Sequence, residues 1–365
     1  MEGKVAALVA PQEVTIKEFD IPDPEPGAVL VRVRRANVCG SEIHIWHFKH
    51  PVIKQSVLGH EFVGEIVKLG AGVSTDYAGV PVTVGDRVVA PYYLTCRKCP
   101  ACLRADFNLC QNAYAFWSQP PEVPPHFHGA FATHYYIHPT QYFYRVPDSV
   151  PDQAVAGANC GLSQVLFGLH KIGLAAGESL VIQGAGGLGL YAAAVAKEMG
   201  AQVIVIEGIP ARLELAQRFG ADEVVDLEEH STVEQRVARV KSLTAGYGPD
   251  VVLEVTGVPA AFAEALQLVR PGGRVVEIGN VNVGPDSETP FAPGFITRKA
   301  VRIQGLVRYQ PWFLHQALQF LQRRHTAHPF NRLTDREYVL SEVAEAIRAT
   351  EAKKVARPVV IPEAE

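Results

Sequence analysis

The chain has 365 residues, 48% hydrophobic and 20% charged, with 34 Lys plus Arg against 38 Asp plus Glu. That length suggests two domains or so, and the balance is that of a globular protein with a sizeable core. A net charge of -4 excludes the basic footprint of a nucleic-acid or anionic-membrane binder, and no apolar run reaches membrane-spanning length.

The first 20 residues carry a short apolar patch that Pro11 ends. They lack the charged start, longer apolar stretch and cleavage site of a signal peptide, so a cytoplasmic location is expected. Residues 29–33, 62–69 and 87–90 read as short strands between Gly and Pro turns, which predicts an irregular β-rich domain over 1–160. Residues 112–129 form a proline-rich loop without periodicity. Trp46, Phe48, Phe116 and Trp117 are candidates to line an apolar pocket, and His126 and His128 to meet a polar substrate.

Four of the six cysteines fall at Cys96, Cys99, Cys102 and Cys110, in a lobe over 92–112. The spacing C-x2-C-x2-C-x7-C suits four thiolates closing a tetrahedron around zinc, with no open position. In a reducing compartment such crowding indicates metal rather than disulfides. The expected role is to staple a loop that has little core of its own.

Cys39 and Cys160 remain. Near the first, Gly59-His60-Glu61 begins the pattern G-H-E-x2-G-x5-G-x2-V. A catalytic zinc needs three protein ligands and a vacancy, which Cys39, His60 and Cys160 would leave. Such an ion polarises a substrate oxygen. Glu61 would sit beside the metal or join it as an alternate ligand.

From about residue 161 the rhythm changes. Strands at 179–182, 202–206, 251–255 and 274–278 alternate with helices at 190–199 and 211–219. This predicts an α/β, doubly wound parallel sheet over 161–300. A tail over 301–365, with a helix at 341–352 and a last strand at 358–361, returns to the first domain. Gly184, Gly186 and Gly189, with Gly187 and Leu188 between, spell G-x-G-x-x-G after a strand and before a helix. That context marks a dinucleotide site: a tight turn, close backbone approach to pyrophosphate, and close helix–strand packing. Glu207 ends the next strand, eighteen residues after Gly189, where a carboxylate binds ribose hydroxyls and repels a 2′-phosphate. NAD is expected over NADP.

Taken together, these motifs resemble the zinc-containing medium-chain dehydrogenase/reductase family, the alcohol dehydrogenase type, over nearly the whole chain. The G-H-E segment looks like its zinc signature, the four-cysteine lobe like its structural zinc lobe, and residues 39–44 (CGSEIH) like its catalytic loop. The resemblance implies a Rossmann domain inserted into a GroES-like catalytic domain. It implies two zinc ions per chain, a small alcohol or carbonyl substrate, and a homodimer or homotetramer. By it, Cys39, His60 and Cys160 are the catalytic zinc ligands. Ser41 takes the substrate proton and His44 releases it. Arg212 contacts the cofactor ribose, and Arg357 its pyrophosphate. Glu42 stands where the family more often has Asp. A secondary alcohol, polyol or larger alcohol is the expected substrate class. Two rivals are a zinc-free reductase of activated double bonds and a non-catalytic relative. The first predicts no catalytic zinc set and the second a degraded one, and neither suits this sequence.

Overall fold

The computed structural model describes residues 2–281, 283–284, 287–334, 336–352 and 357–362. The chain divides into two compact units, Met1–Ser163 with Gln310–Glu365, and Gln164–Tyr309.

The strands of the second unit are Ser179–Gln183 (β1), Gln202–Glu207 (β2), Glu223–Asp226 (β3), Val251–Glu254 (β4), Arg274–Glu277 (β5) and Arg302–Gly305 (β6). They form one parallel sheet in the order β3-β2-β1-β4-β5-β6. Every residue of β1 is buried, as befits a central strand covered on both faces. The order reverses between β1 and β4, and a crevice opens beyond the carboxyl ends of strands at such a switch point. β1 runs through Gly184 into the helix Gly187–Glu198, whose Ala192, Ala193 and Ala194 are wholly buried. A Cβ on Gly189 would lie 1.9 Å from the Gly184 carbonyl oxygen, so only glycine lets helix and strand approach this closely.

The expected domain boundary at 300 shifts. β6 pairs in parallel with β5, and the chain leaves this unit between Tyr309 and Gln310. β6 is a four-residue edge strand with mostly exposed side chains, so it lacks the apolar run that marks the central strands.

In the first unit, Val29–Asn37 is the middle of a seven-stranded sheet, between Glu61–Leu69 and the last strand, Pro358–Ile361. Val29, Val31 and Val33 alternate into a core that also holds Phe62, Ile66, Val88, Phe131 and Val360. An amino-terminal hairpin, Glu2–Ala10 with Glu13–Asp20, was not apparent from the sequence because its second strand is largely polar and partly exposed. Two registers matter most for the site. Asn37 lies opposite Glu61, so the residues just beyond these strand ends, Cys39 and His60, become neighbours. Val359 lies opposite Asn37, which sets Arg357 at the same corner.

Gly189→Ala should therefore strain the second unit by about 1–3 kcal/mol, the usual cost of overpacking. A lowered melting temperature is expected; an unchanged one would show that the helix shifts freely on β1.

Candidate active site

Cys39 ends the extended backbone after Val29–Asn37 and caps the helix Gly40–Trp46. Glu42, in the first turn of that helix, is fully buried. Its Oε2 accepts the Cys39 backbone N–H at 2.8 Å, and its Oε1 lies 2.5 Å from His60 Nδ1. The carboxylate thus accepts a hydrogen bond from Nδ1–H and turns the Nε2 lone pair toward the cluster, as partners of metal-binding histidines do. The longer Glu side chain still makes the contact that the shorter Asp would make. Ser41 Oγ is 3.5 Å from His60 Nε2.

Cys160 arrives from far along the chain. It sits in a single π-helical turn, Ala158–Leu162, a local irregularity common at functional sites. Its neighbour Asn159 donates both amide hydrogens, to the His60 and Ala90 carbonyls, each at 2.8 Å. This bridge fixes the turn against the strand that starts at Glu61.

One ligand atom each from Cys39, His60, Glu61 and Cys160 lies within 4.8 Å of the others. The donor set fits a cation. Cys160 donates to Cys39, which holds the Cys39 thiol well below its ordinary range and pushes Cys160 well above. Burial pulls the His60 imidazole down, but the Glu42 carboxylate and the Cys39 sulfur outweigh it and raise the ring well above its ordinary value. Burial raises Glu61 to about 7, although Arg357 opposes the shift. Glu61 Oε2 pairs with Arg357, while among the described residues buried Oε1 has no hydrogen-bond partner. A buried carboxylate oxygen left so is costly unless a cation or proton joins it.

The second cluster is Cys96, Cys99, Cys102 and Cys110, also within 4.8 Å. The short helix Pro100–Leu103 and the turn Phe107–Leu109 carry the chain around it. Backbone N–H groups point at the sulfurs, Cys99 to Cys96 Sγ at 3.3 Å and Cys96 to Cys110 Sγ at 3.4 Å. Such bonds stabilise thiolates, as a closed zinc site requires. All six cysteines are free of disulfides.

The pocket candidates separate. Trp117 stands beside His60, with ring centroids 5.1 Å apart, and its indole N–H is fixed on the Val57 carbonyl at 2.9 Å. Trp46 is fully buried in the core, and Phe116 packs edge-on against His128 in a second apolar cluster. His126 stacks on Phe19, and His128 is held by the Val123 carbonyl, so both have local structural contacts. Sequence reading missed Tyr92 and Tyr114. Tyr92 meets His60 at 5.0 Å and Tyr114 lies 6.2 Å from Trp117. Only the fold brings these rings together.

In the second unit, Gly186 caps the helix whose first turn contains Gly187, Leu188 and Gly189, and its amino terminus follows directly on the carboxyl end of β1. Glu207 ends β2. Its carboxylate accepts the Ala185 N–H at 2.8 Å, and those of Gly208 and Ile209 at 2.8 and 3.2 Å. Arg212 Nη1 stands 3.9 Å from it. Arg357, expected near a pyrophosphate, is buried against Glu61 in the first unit.

Comparison with known proteins identifies the family. Residues 25–148 match the family model of the alcohol dehydrogenase GroES-like domain, and residues 187–323 that of the zinc-binding dehydrogenase. The chain is 34% identical to 5-exo-hydroxycamphor dehydrogenase of Pseudomonas putida over 98% of both chains. It is 35% identical to L-threonine 3-dehydrogenase of Pyrococcus horikoshii, over 81% of this chain and 80% of that one. The solved structure of an alcohol dehydrogenase from Thermotoga maritima superposes with a TM-score of 0.92 at 28% identity, covering both chains completely. The chain therefore belongs to the zinc-containing medium-chain dehydrogenase/reductase family, alcohol dehydrogenase type, and is an NAD(P)-linked oxidoreductase acting on CH–OH groups.

Proposed function

We propose that the chain interconverts cyclic or otherwise bulky secondary alcohols and their ketones, with NAD as the hydride carrier. The observation that carries this reading is the convergence of Cys39, His60, Glu61 and Cys160 next to the Ser41 hydroxyl. Cys39, His60 and Cys160 would hold a catalytic zinc, which supplies Lewis acidity to the substrate oxygen when bound. Cys96, Cys99, Cys102 and Cys110 would hold a structural one. Ser41 takes the proton that the substrate hydroxyl loses. His44 passes it to solvent. Burial and the nearby Lys49 lower the His44 pKa, so at neutral pH the ring is a neutral base able to receive a proton. Glu61 and Arg357 balance charge at the rear of the cluster.

Substrate class follows from the rings. Tyr92 and Trp117 flank the imidazole of His60, with ring centroids 5.0 and 5.1 Å away, and would wall the substrate. They favour a ring-shaped or aromatic substituent. The relative named for hydroxycamphor points the same way.

On the cofactor side, Gly184, Gly186, Gly187, Leu188 and Gly189 would cradle the pyrophosphate. Glu207 would bind the adenosine ribose with Arg212 beside it, and would repel a 2′-phosphate. Six free thiols suit a reducing cytoplasm, and we expect a homodimer or homotetramer.

Elemental analysis should give two zinc ions per chain, and Cys160→Ala one zinc and no measurable turnover. A Cys160→Ala variant with two zincs and full activity would falsify this ligand set. Ser41→Ala should lower kcat by about 10²–10⁴-fold, the range for a lost proton acceptor; near-normal kcat would assign the proton elsewhere. Glu207→Ala should raise the NADP/NAD ratio of kcat/KM by about tenfold or more through loss of a like-charge contact. No change would mean that Glu207 does not read the ribose. Cyclohexanol or 1-phenylethanol should exceed sorbitol in kcat/KM by at least roughly tenfold, a margin that Trp117→Ala narrows. A preference for sorbitol would reject the aromatic wall as the selector.

A further inference from the structure

Two acids face each other in the dinucleotide unit, outside the residues that the motif reading picked out. Glu254 ends β4 and Glu277 ends β5, and they are register partners in adjacent parallel strands. Both therefore lie on one face of the sheet, beside the switch point between β1 and β4. Glu254 has no exposed surface.

Glu254 is braced against the loop that follows it. Its Oε1 accepts the backbone N–H of Thr256 at 2.6 Å, that of Gly257 at 3.2 Å, and the Thr256 hydroxyl. Its Oε2 accepts from the Asn280 amide at 3.1 Å. The same amide nitrogen donates to Glu277 Oε1 at 3.1 Å, so one side chain bridges both acids. Thr256 in turn packs on the first glycine of the phosphate loop. Its Cγ2 would be 2.9 Å from a Cβ at Gly184, whose φ of +99° already requires glycine. Glu254 thus sets Thr256, and Thr256 sits against the Gly184 turn.

Among the described residues neither acid has an ion-pair partner, and buried Glu277 Oε2 has no hydrogen-bond donor. β1 presents Gln183 at the register position beside Glu254, and the loop after β5 presents Asn280; Glu277 is the titratable group that faces it. Two carboxylates this close cannot both ionise cheaply, and one shared proton satisfies the orphan oxygen. Burial and then the Glu277 contact lift the Glu254 carboxyl to about 8.

We propose that Glu254 is a positioning residue for the dinucleotide, and that the proton it shares with Glu277 keeps the Thr256–Gly257 loop in its binding shape. The proposal rests on the dinucleotide reading of this unit. Its sign is fixed by the acid. The proton is held at neutral pH and lost as pH rises through the raised pKa, so cofactor affinity falls on the alkaline side.

The test is a titration of the zinc-loaded enzyme with NADH, and in parallel with NADPH, by nucleotide fluorescence from pH 6.5 to 9.5. Wild-type Kd should rise about tenfold across that range. Glu254→Gln keeps an acceptor for Thr256 and Gly257, cannot ionise, and should bind tightly with a flat profile. Glu277→Gln leaves burial alone to raise Glu254 and should move the midpoint of the profile to lower pH. Glu254→Ala loses the brace and should bind weakly at every pH. Melting temperatures identify a variant that fails to fold, in which case Glu254→Gln carries the test alone. A wild-type pH profile in Glu254→Gln, or wild-type affinity in Glu254→Ala, would overturn the proposal. Failure of the dinucleotide reading shows separately, as absence of binding of either nucleotide by the wild type.

Discussion

The antiparallel register that sets Asn37 opposite Glu61 is the constraint on which the metal cluster depends. It turns two residues twenty-one positions apart in sequence, Cys39 and His60, into neighbours. The register is held by the buried faces of Val31, Val33, Phe62 and Ile66. A slip of one residue would turn these side chains toward the opposite face and separate the ligands. Asn159 then anchors the Cys160 turn to the His60 carbonyl, and the last strand sets Arg357 beside Glu61. Apolar packing fixes the frame, and polar contacts place the donors within it.

Three buried acids are stabilised in three different ways. Glu42 meets an imidazole, Glu61 a guanidinium, and Glu254 a second acid. The first arrangement orients a ligand. The second balances the carboxylate with a guanidinium through Oε2 and leaves Oε1 without a hydrogen-bond partner among the described residues. The third stores a proton where the described residues provide no cation. In each case the low-dielectric surroundings make the partner matter more than the burial itself.

What the sequence revealed depended on how locally each feature is written. The four-cysteine lobe comes from fifteen consecutive residues, and its spacing alone indicates a closed metal site. The glycine loop was equally legible because strand, turn and helix follow directly on one another. Cys160 has no local pattern of its own; its place depends on Asn159 reaching strands that lie far away in the chain. Trp117 could be named from the sequence, but its partners Tyr92 and Tyr114 were illegible for the same reason, and aromatic residues in loops serve packing more often than binding. Trp46 illustrates that second case. The β6 edge strand escaped notice because an edge needs little apolar surface.

The ion pair between Glu61 and Arg357 spans 296 positions of sequence. A chain being synthesised from its amino end carries Glu61 through nearly all of that time before its guanidinium exists. Until then, burying the carboxylate would leave it without that cation, at a cost of several kcal/mol or about that order. The cysteine lobe, by contrast, has all its donors once Cys110 is made. Order of assembly is thus written into the pairing: the lobe can close early, and the Glu61–Arg357 corner closes last.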